Sequence, residues 1–227
     1  MPFLASVPLN PLRSGAQRLL SNPQRMHAAV EGALPPERSG RLLWRVEHNR
    51  HAATLFISSP DRPSLQHLVE QAGWPDSPAG APRVADLAPL LGQLAIGREF
   101  HFRVRLNPVQ HKSSPDGRSV RLGHRTLAHQ LRWFTERTCG DGASWGFSVS
   151  SSADIATVQV VERDHLRFTK TAAGVPVVID TATFQGILTV TDVATIRNSI
   201  LSGIGSAKSY GCGLLTLAPP PRDVVAR

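Results

Sequence analysis

Lysine is nearly absent from this chain. Among 25 basic side chains only Lys112, Lys170 and Lys208 are lysines, so arginine carries the positive charge. Cysteine is as scarce. Cys139 and Cys212 alone exclude a disulfide framework and a cysteine-rich zinc site. No run of about 18 apolar residues occurs, which excludes a membrane-spanning helix. The first residues are short of apolar length, interrupted by Pro8 and without a basic leader, so they do not read as a secretory signal. The expected compartment is the cytoplasm. No carboxylate–histidine cluster with metal-ligand spacing stands out, so no cofactor is expected and a metal nuclease is disfavoured.

Carboxylates are also too few to balance the arginines, and the formal net charge is +8. That balance favours an anionic partner, of which nucleic acid is the commonest. Guanidinium groups suit planar, bidentate contact with phosphates and guanine edges. The competing account is codon bias in a chain rich in Arg, Ala, Gly and Pro. The distribution favours a partner. The first thirty residues carry Arg13, Arg18 and Arg25 and no carboxylate, and eight cations fall between Arg98 and Arg132 against Glu99 and Asp116. A solvated face normally mixes its signs, so this stretch reads as an electrostatic footprint.

The periodicity predicts an α+β chain. A strand over Phe3–Leu9 ends at Asn10-Pro11, because proline cannot continue a ladder. Ser21-Asn22-Pro23 supplies a polar cap and a first-turn proline for a helix to about Leu34. Arg41–Glu47 and Ala53–Ser58 alternate as a hairpin, Ser64–Ala72 is helical, and Ala72–Arg83 is loop. Arg98–Leu106 then reads as a strand with Phe100, Phe102, Val104 and Leu106 on one face and arginines facing outward. This βαββαβ order is ferredoxin-like (RRM-like). A second such pattern follows: a helix over Thr126–Thr138, strands at Trp145–Val149, Thr157–Val161, Leu166–Lys170 and Val177–Val190, a helix capped at Thr191-Asp192, and a strand at Leu214–Leu217. Two tandem ferredoxin-like domains are therefore expected, over residues 1–110 and 111–227.

The segment from Gly203 to Leu215 carries four glycines, Gly203, Gly205, Gly211 and Gly213, around Lys208 and Ser209. Such a loop lets backbone approach a ligand, and amides beside a lysine suit phosphate. It follows a helix and precedes a strand, the reverse of a nucleotide P-loop. The bland alternative is a turn whose glycines only allow helix and strand to pack.

On this loop the chain resembles the RAMP superfamily of CRISPR-associated proteins. Pro8-Leu9-Asn10-Pro11, Ser21–His27, Leu42–Arg45, Phe102–Pro108, Gly123–Thr126, Gln130–Trp133 and Ala182–Gly186 narrow the resemblance to the CasE family, the RNA-processing endoribonucleases of type I-E CRISPR systems. The resemblance implies an enzyme that binds the repeat stem-loop of precursor CRISPR RNA and cuts at the 3′ base of the stem. No metal is implied: the ribose 2′-hydroxyl attacks the adjacent phosphate and leaves a 2′,3′-cyclic phosphate. The protein then stays on the mature CRISPR RNA as a subunit of the surveillance complex, is monomeric when alone, and touches no membrane.

The resemblance also assigns residues. His27 matches the family's catalytic histidine, and a histidine can act as base or acid near neutral pH. Where many relatives carry a tyrosine one turn earlier, this chain has Gln24, whose amide cannot transfer a proton. Tyr210, the only tyrosine, is the remaining candidate, through the Gly-rich loop. Positive charge is expected from Arg25, Arg38, Arg41 or Lys208. For RNA grip the candidates are Arg103 and Arg105 on the outward strand face, Arg163, Arg167 and Lys170 on a hairpin that in the family reads the stem, and Gly203, Gly205, Lys208 and Ser209 on phosphates. The alternative is a non-catalytic repeat-RNA scaffold, which Gln24 keeps open.

Overall fold

Hydrophobic alternation sorts the chain into two antiparallel sheets, each backed by helices. The computed structural model describes residues 1–219 apart from 39, 50–51, 114–118, 141–143, 150, 153–154, 157 and 170–173. In the first unit, β1 (Phe3–Leu9) leads through α1 (Ser14–Leu20) and α2 (Pro23–Glu31) to the hairpin β2 (Leu43–Asn49) and β3 (Ala52–Ser59). Then α3 (Gln66–Ala72) and β4 (Arg83–Asp86) complete it. The sheet order is β2-β3-β1-β4, the ferredoxin-like arrangement. Its core gathers Val7, Leu9, Met26, Val30, Leu55, Ile57 and Leu68 between sheet and helices.

After the short helix α4 (Ala88–Leu91), the second unit begins with β5 (Glu99–Leu106). A side hairpin of β6 (Val109–Ser113) and β7 (Ser119–Gly123) precedes α5 (Leu127–Thr135). The short strands β8 (Phe147–Ser148), β9 (Ser151–Ser152) and β10 (Ile155–Ala156) follow. The long hairpin β11 (Val158–Thr169) and β12 (Pro176–Val190), α6 (Val193–Ser202) and β13 (Thr216–Ala218) end the unit. The order β11-β12-β5-β13 repeats the first arrangement. Phe134 stacks on Phe184 at 4.4 Å between ring centroids, in a core with Phe100, Phe102, Phe147 and Ile196.

Two expectations are corrected here. The strand from Glu99 does not close the first unit; it pairs with β12 and β13 and opens the second. The first unit is closed by β4, inside and just past the segment expected as loop. The change of sheet therefore falls between Asp86 and Glu99, ahead of the boundary expected between residues 110 and 111. The two strands expected over Thr157–Val161 and Leu166–Lys170 are one continuous strand, β11. The helix starts follow local chemistry as expected. Asn22 Oδ1 accepts from the Gln24 and Arg25 amides with Pro23 in the first turn, and Asp192 caps α6 through Thr195.

The two units are joined by a buried guanidinium. Arg45 on β2 is 1% exposed. It donates to Glu47 Oε1 at 2.5 Å, to Thr216 Oγ1 at 2.9 Å, and to the carbonyls of Arg103 (3.0 Å) and Leu214 (2.8 Å). The other oxygen of Glu47 accepts from Arg103 at 2.7 Å. One carboxylate from the first sheet thus holds an arginine from each sheet. Burial lowers the Arg45 pKa, with Glu47 opposing that shift.

Candidate functional site

The β11–β12 hairpin outruns its sheet. β5 pairs with β12 only over Ala182–Thr189, so the part of the hairpin from Asp164 to Thr169 and Pro176 to Thr181 extends beyond β5. Strand pleating alternates its side chains. Leu166 and Phe168 turn inward with Glu162 and Asp164, while Arg163, His165 and Arg167 are exposed. The inner face lies against α2 and the 3-10 turn Lys208–Tyr210 of the Gly-rich loop. There Pro23, Met26, Asp164, Leu166 and Tyr210 line a cavity of about 160 Å³. Helix α2, the hairpin and the Gly-rich loop therefore meet in one place, although they come from opposite ends of the chain.

His27 lies on α2, which reaches this junction through Pro23 and Met26, and is one quarter exposed. Its Nδ1 is buried and has no hydrogen-bond partner among the described residues. The nearest acid is Glu31, one turn on, with Oε1 at 3.8 Å, and the second Glu31 oxygen accepts from Arg38 Nη2 at 2.5 Å. Gln24 sits one turn before His27 and is half-buried. Tyr210 belongs to the turn beside α2, but its ring packs edge-on against Phe168 at 4.8 Å and lines the small cavity, which His27 does not line. The loop brings Tyr210 to the helix that carries His27 and sets its ring against Phe168 of the hairpin.

The Gly-rich loop is shaped by packing. Gly203, Gly205, Gly211 and Gly213 all have positive φ, as does Ala207. A Cβ on Gly211 would stand 2.8 Å from the Trp44 ring, and one on Gly203 would stand 2.7 Å from Leu43. These two glycines let the loop lie on β2. Lys208 points inward, where its Nζ donates to the carbonyls of Ser202 (2.8 Å) and Gly203 (2.6 Å). It thereby closes the C-terminus of α6, where a cation meets orphan carbonyls. Burial, and then the nearby charge of Arg41, lower the Lys208 pKa. Gly205 and Ser209 are exposed on the same loop.

Arg105 does not face solvent as expected, and Arg103 does so only in part. Arg105 is buried and donates to Asp164 Oδ2 at 2.6 Å and Thr181 Oγ1 at 3.0 Å, bracing the hairpin from inside. Arg103 is held by Glu47 and by Gln185 Oε1 at 2.5 Å, although its side chain stays 38% exposed. Arg13, counted in the basic N-terminus, donates to the carbonyls of Val69, Glu70 and Gly73 at the end of α3. The cation count therefore overstates the charge offered to a partner. The outer hairpin face keeps its charge. Among the described residues nothing pairs with the Arg167 guanidinium, which stands opposite the half-exposed Val178. Arg163 donates to the Arg125 carbonyl, and His165 and Arg125 both lie on Asp180, at 2.7 and 3.4 Å. Lys170 lies outside the described residues.

Two features escaped the sequence. Glu31 lies one turn from His27 and is gripped by Arg38, a residue expected only to supply charge, through a loop return that periodicity does not reveal. Arg45 was visible only as part of a motif. A further pattern, Gly142-Ala-Ser144-Trp-Gly146, has the spacing of a hydrolase elbow. It follows helix α5 and precedes strand β8, the reverse of the strand–turn–helix such a nucleophile needs.

Residues 2–219 match the family described as CRISPR associated protein. The CRISPR-associated endoribonuclease Cse3 of Thermus thermophilus is 30% identical over 225 residues, covering 96% of this chain and all of that protein. The CRISPR system Cascade subunit CasE of Escherichia coli K12 is 29% identical over 190 residues, 78% of this chain and 88% of that one. The solved structure of Thermus thermophilus Cse3 bound to an RNA representing a pre-cleavage complex matches with a TM-score of 0.76. Its identity is 26%, over 96% of this chain and 99% of that one.

Proposed function

The chain belongs to the CRISPR associated protein family that holds Cse3 and CasE, and we propose on that premise that it processes CRISPR RNA. It binds the repeat stem-loop of the precursor transcript, cuts once at the 3′ base of the stem, and stays on the mature RNA as a subunit of a cytoplasmic surveillance complex. The observation that carries this reading is the junction of three elements: helix α2, which carries His27, the inner face of a hairpin whose outer face is cationic, and the glycine-rich loop.

The chemistry is internal transfer without a metal. The 2′-oxygen bonds to the adjacent phosphorus as the bond from phosphorus to the 5′-oxygen breaks. A base takes the 2′-proton, and an acid supplies one to the departing 5′-oxygen. His27 performs one of these transfers; Gln24 can only orient. Arg41 and Arg25 supply charge near the phosphate, while Arg38 acts through Glu31. Arg163 and Arg167 take the stem. An A-form major groove is too narrow for side chains along its length, so they engage it at an open end.

A deoxyribose at the cleavage position tests the reaction directly. Cutting should stop while hairpin binding persists. A deoxy substrate cut at the same rate would contradict internal attack. One observation favours a second reading, a repeat-RNA scaffold: no proton-transferring side chain stands one turn before His27, and Tyr210 turns elsewhere. A full-ribose hairpin bound tightly and left uncut would establish that reading.

A further inference from the structure

The orphaned ring nitrogen of His27 points to a positioning residue. Nδ1 is buried and unpartnered among the described residues, and Glu31 Oε1 is 3.8 Å away on the same helix face. Arg38, whose own Nε is also buried without a partner among the described residues, grips the other Glu31 oxygen at 2.5 Å. A buried N–H without an acceptor is costly, and a small rotation of the Glu31 carboxylate brings it into hydrogen-bond range. Catalytic hydrogen bonds are often long before substrate arrives.

We propose that Glu31, clamped by Arg38, is a positioning residue that holds the proton of His27 on Nδ1 and so leaves the Nε2 lone pair for the RNA. A neutral imidazole carries one N–H, and the partner of one nitrogen decides which nitrogen has it. Because Nδ1 is the buried nitrogen, Nε2 is the one that can meet the 2′-hydroxyl. Without Glu31 the proton settles on Nε2 and the ring presents a donor where a base is needed. The logic is that of the carboxylate that orients the histidine of a serine protease triad. With Gln24 unable to exchange a proton, the tautomer of this single imidazole matters more. The inference rests on the RNA-cleaving role given to His27 above.

The test compares wild type, His27→Ala, Glu31→Gln and the double variant in single-turnover cleavage of a cognate hairpin. It adds ¹⁵N spectra of the histidine rings. Glu31→Gln should slow cleavage about tenfold, the scale of one charge-assisted hydrogen bond, with hairpin affinity within about twofold. Adding it to His27→Ala should cost nothing further, and the His27 proton should move from Nδ1 to Nε2. Arg38→Met should show the same changes, smaller in size, and serves if Glu31→Gln does not fold. If His27→Ala is inactive while Glu31→Gln keeps the wild-type rate or tautomer, the positioning role is overturned and the endoribonuclease reading stands. If Glu31→Gln weakens binding as much as rate, the positioning role is also overturned. If His27→Ala cuts at the wild-type rate, the reading itself fails.

Discussion

Replacing Arg45 by methionine would test whether one buried guanidinium joins the two units. Methionine keeps much of the volume and removes every donor. Of the acceptors left behind, the Arg103 carbonyl still receives Thr216 Oγ1 at 3.1 Å, and Glu47 keeps Arg103. The Leu214 carbonyl, whose only side-chain donor among the described residues is Arg45, is orphaned. An orphaned buried acceptor costs about 1–3 kcal/mol, and breaking a buried ion pair about 3–5 kcal/mol. Because Glu47 keeps its second arginine and is one quarter exposed, the lower end applies, and about 3 kcal/mol of stability should be lost. Urea unfolding followed by tryptophan fluorescence reads this well, since the buried Trp44 is the neighbouring residue. With a slope of about 1–3 kcal/mol per molar urea, the midpoint should fall by roughly 1 M or more. Glu47→Gln, which leaves Arg45 and Arg103 facing each other without their carboxylate, should move it the same way. A midpoint within about 0.3 M of wild type for Arg45→Met would refute the coupling.

Other outcomes follow from the same geometry. Lys208→Ala should loosen the Gly-rich loop and lower RNA affinity without flattening its salt dependence, because the ammonium is spent on carbonyls; a slope reduced by about one unit would make it a phosphate contact after all. Arg167→Ala should weaken discrimination between the cognate stem and one with altered pairs by about 1–3 kcal/mol in paired titrations, whereas equal losses on both stems would reduce it to backbone contact. Burial pushes the Cys212 thiol up to about 11. The folded chain therefore keeps a proton that the unfolded chain releases at lower pH. That stabilisation is complete below the ordinary thiol range and disappears as pH climbs toward 11. Melting temperatures should fall across that window more steeply for wild type than for Cys212→Ala, and parallel curves would contradict the assignment.

What the sequence revealed was local. Asn22-Pro23 and Asp192 start helices by chemistry confined to three or four residues, so their caps are found where expected. The alternation of Phe100, Phe102 and Val104 identified a strand and its buried face, but which sheet receives that strand depends on β12, some eighty residues on. β4 is four residues long after a Gly- and Pro-rich stretch, too short to show a period. The arginines misled because a guanidinium serves equally well as an internal donor. Arg13, Arg45 and Arg105 are spent on carbonyls, carboxylates and hydroxyls inside the fold, and only the partners reveal it. Likewise His27 is marked by position and resemblance, while no pattern announces Glu31 or its pairing with Arg38, and the inward turn of Lys208 depends on where α6 ends.

The central claim is that His27 moves a proton in a metal-free cleavage, and one measurement addresses it: single-turnover cutting of the cognate hairpin in excess EDTA by wild type and His27→Ala. Wild type should cut at full rate, and the variant should be slower by about 10²-fold or more with hairpin affinity nearly unchanged. Wild-type activity that vanishes in EDTA and returns with magnesium, or a His27→Ala rate equal to wild type, would contradict it.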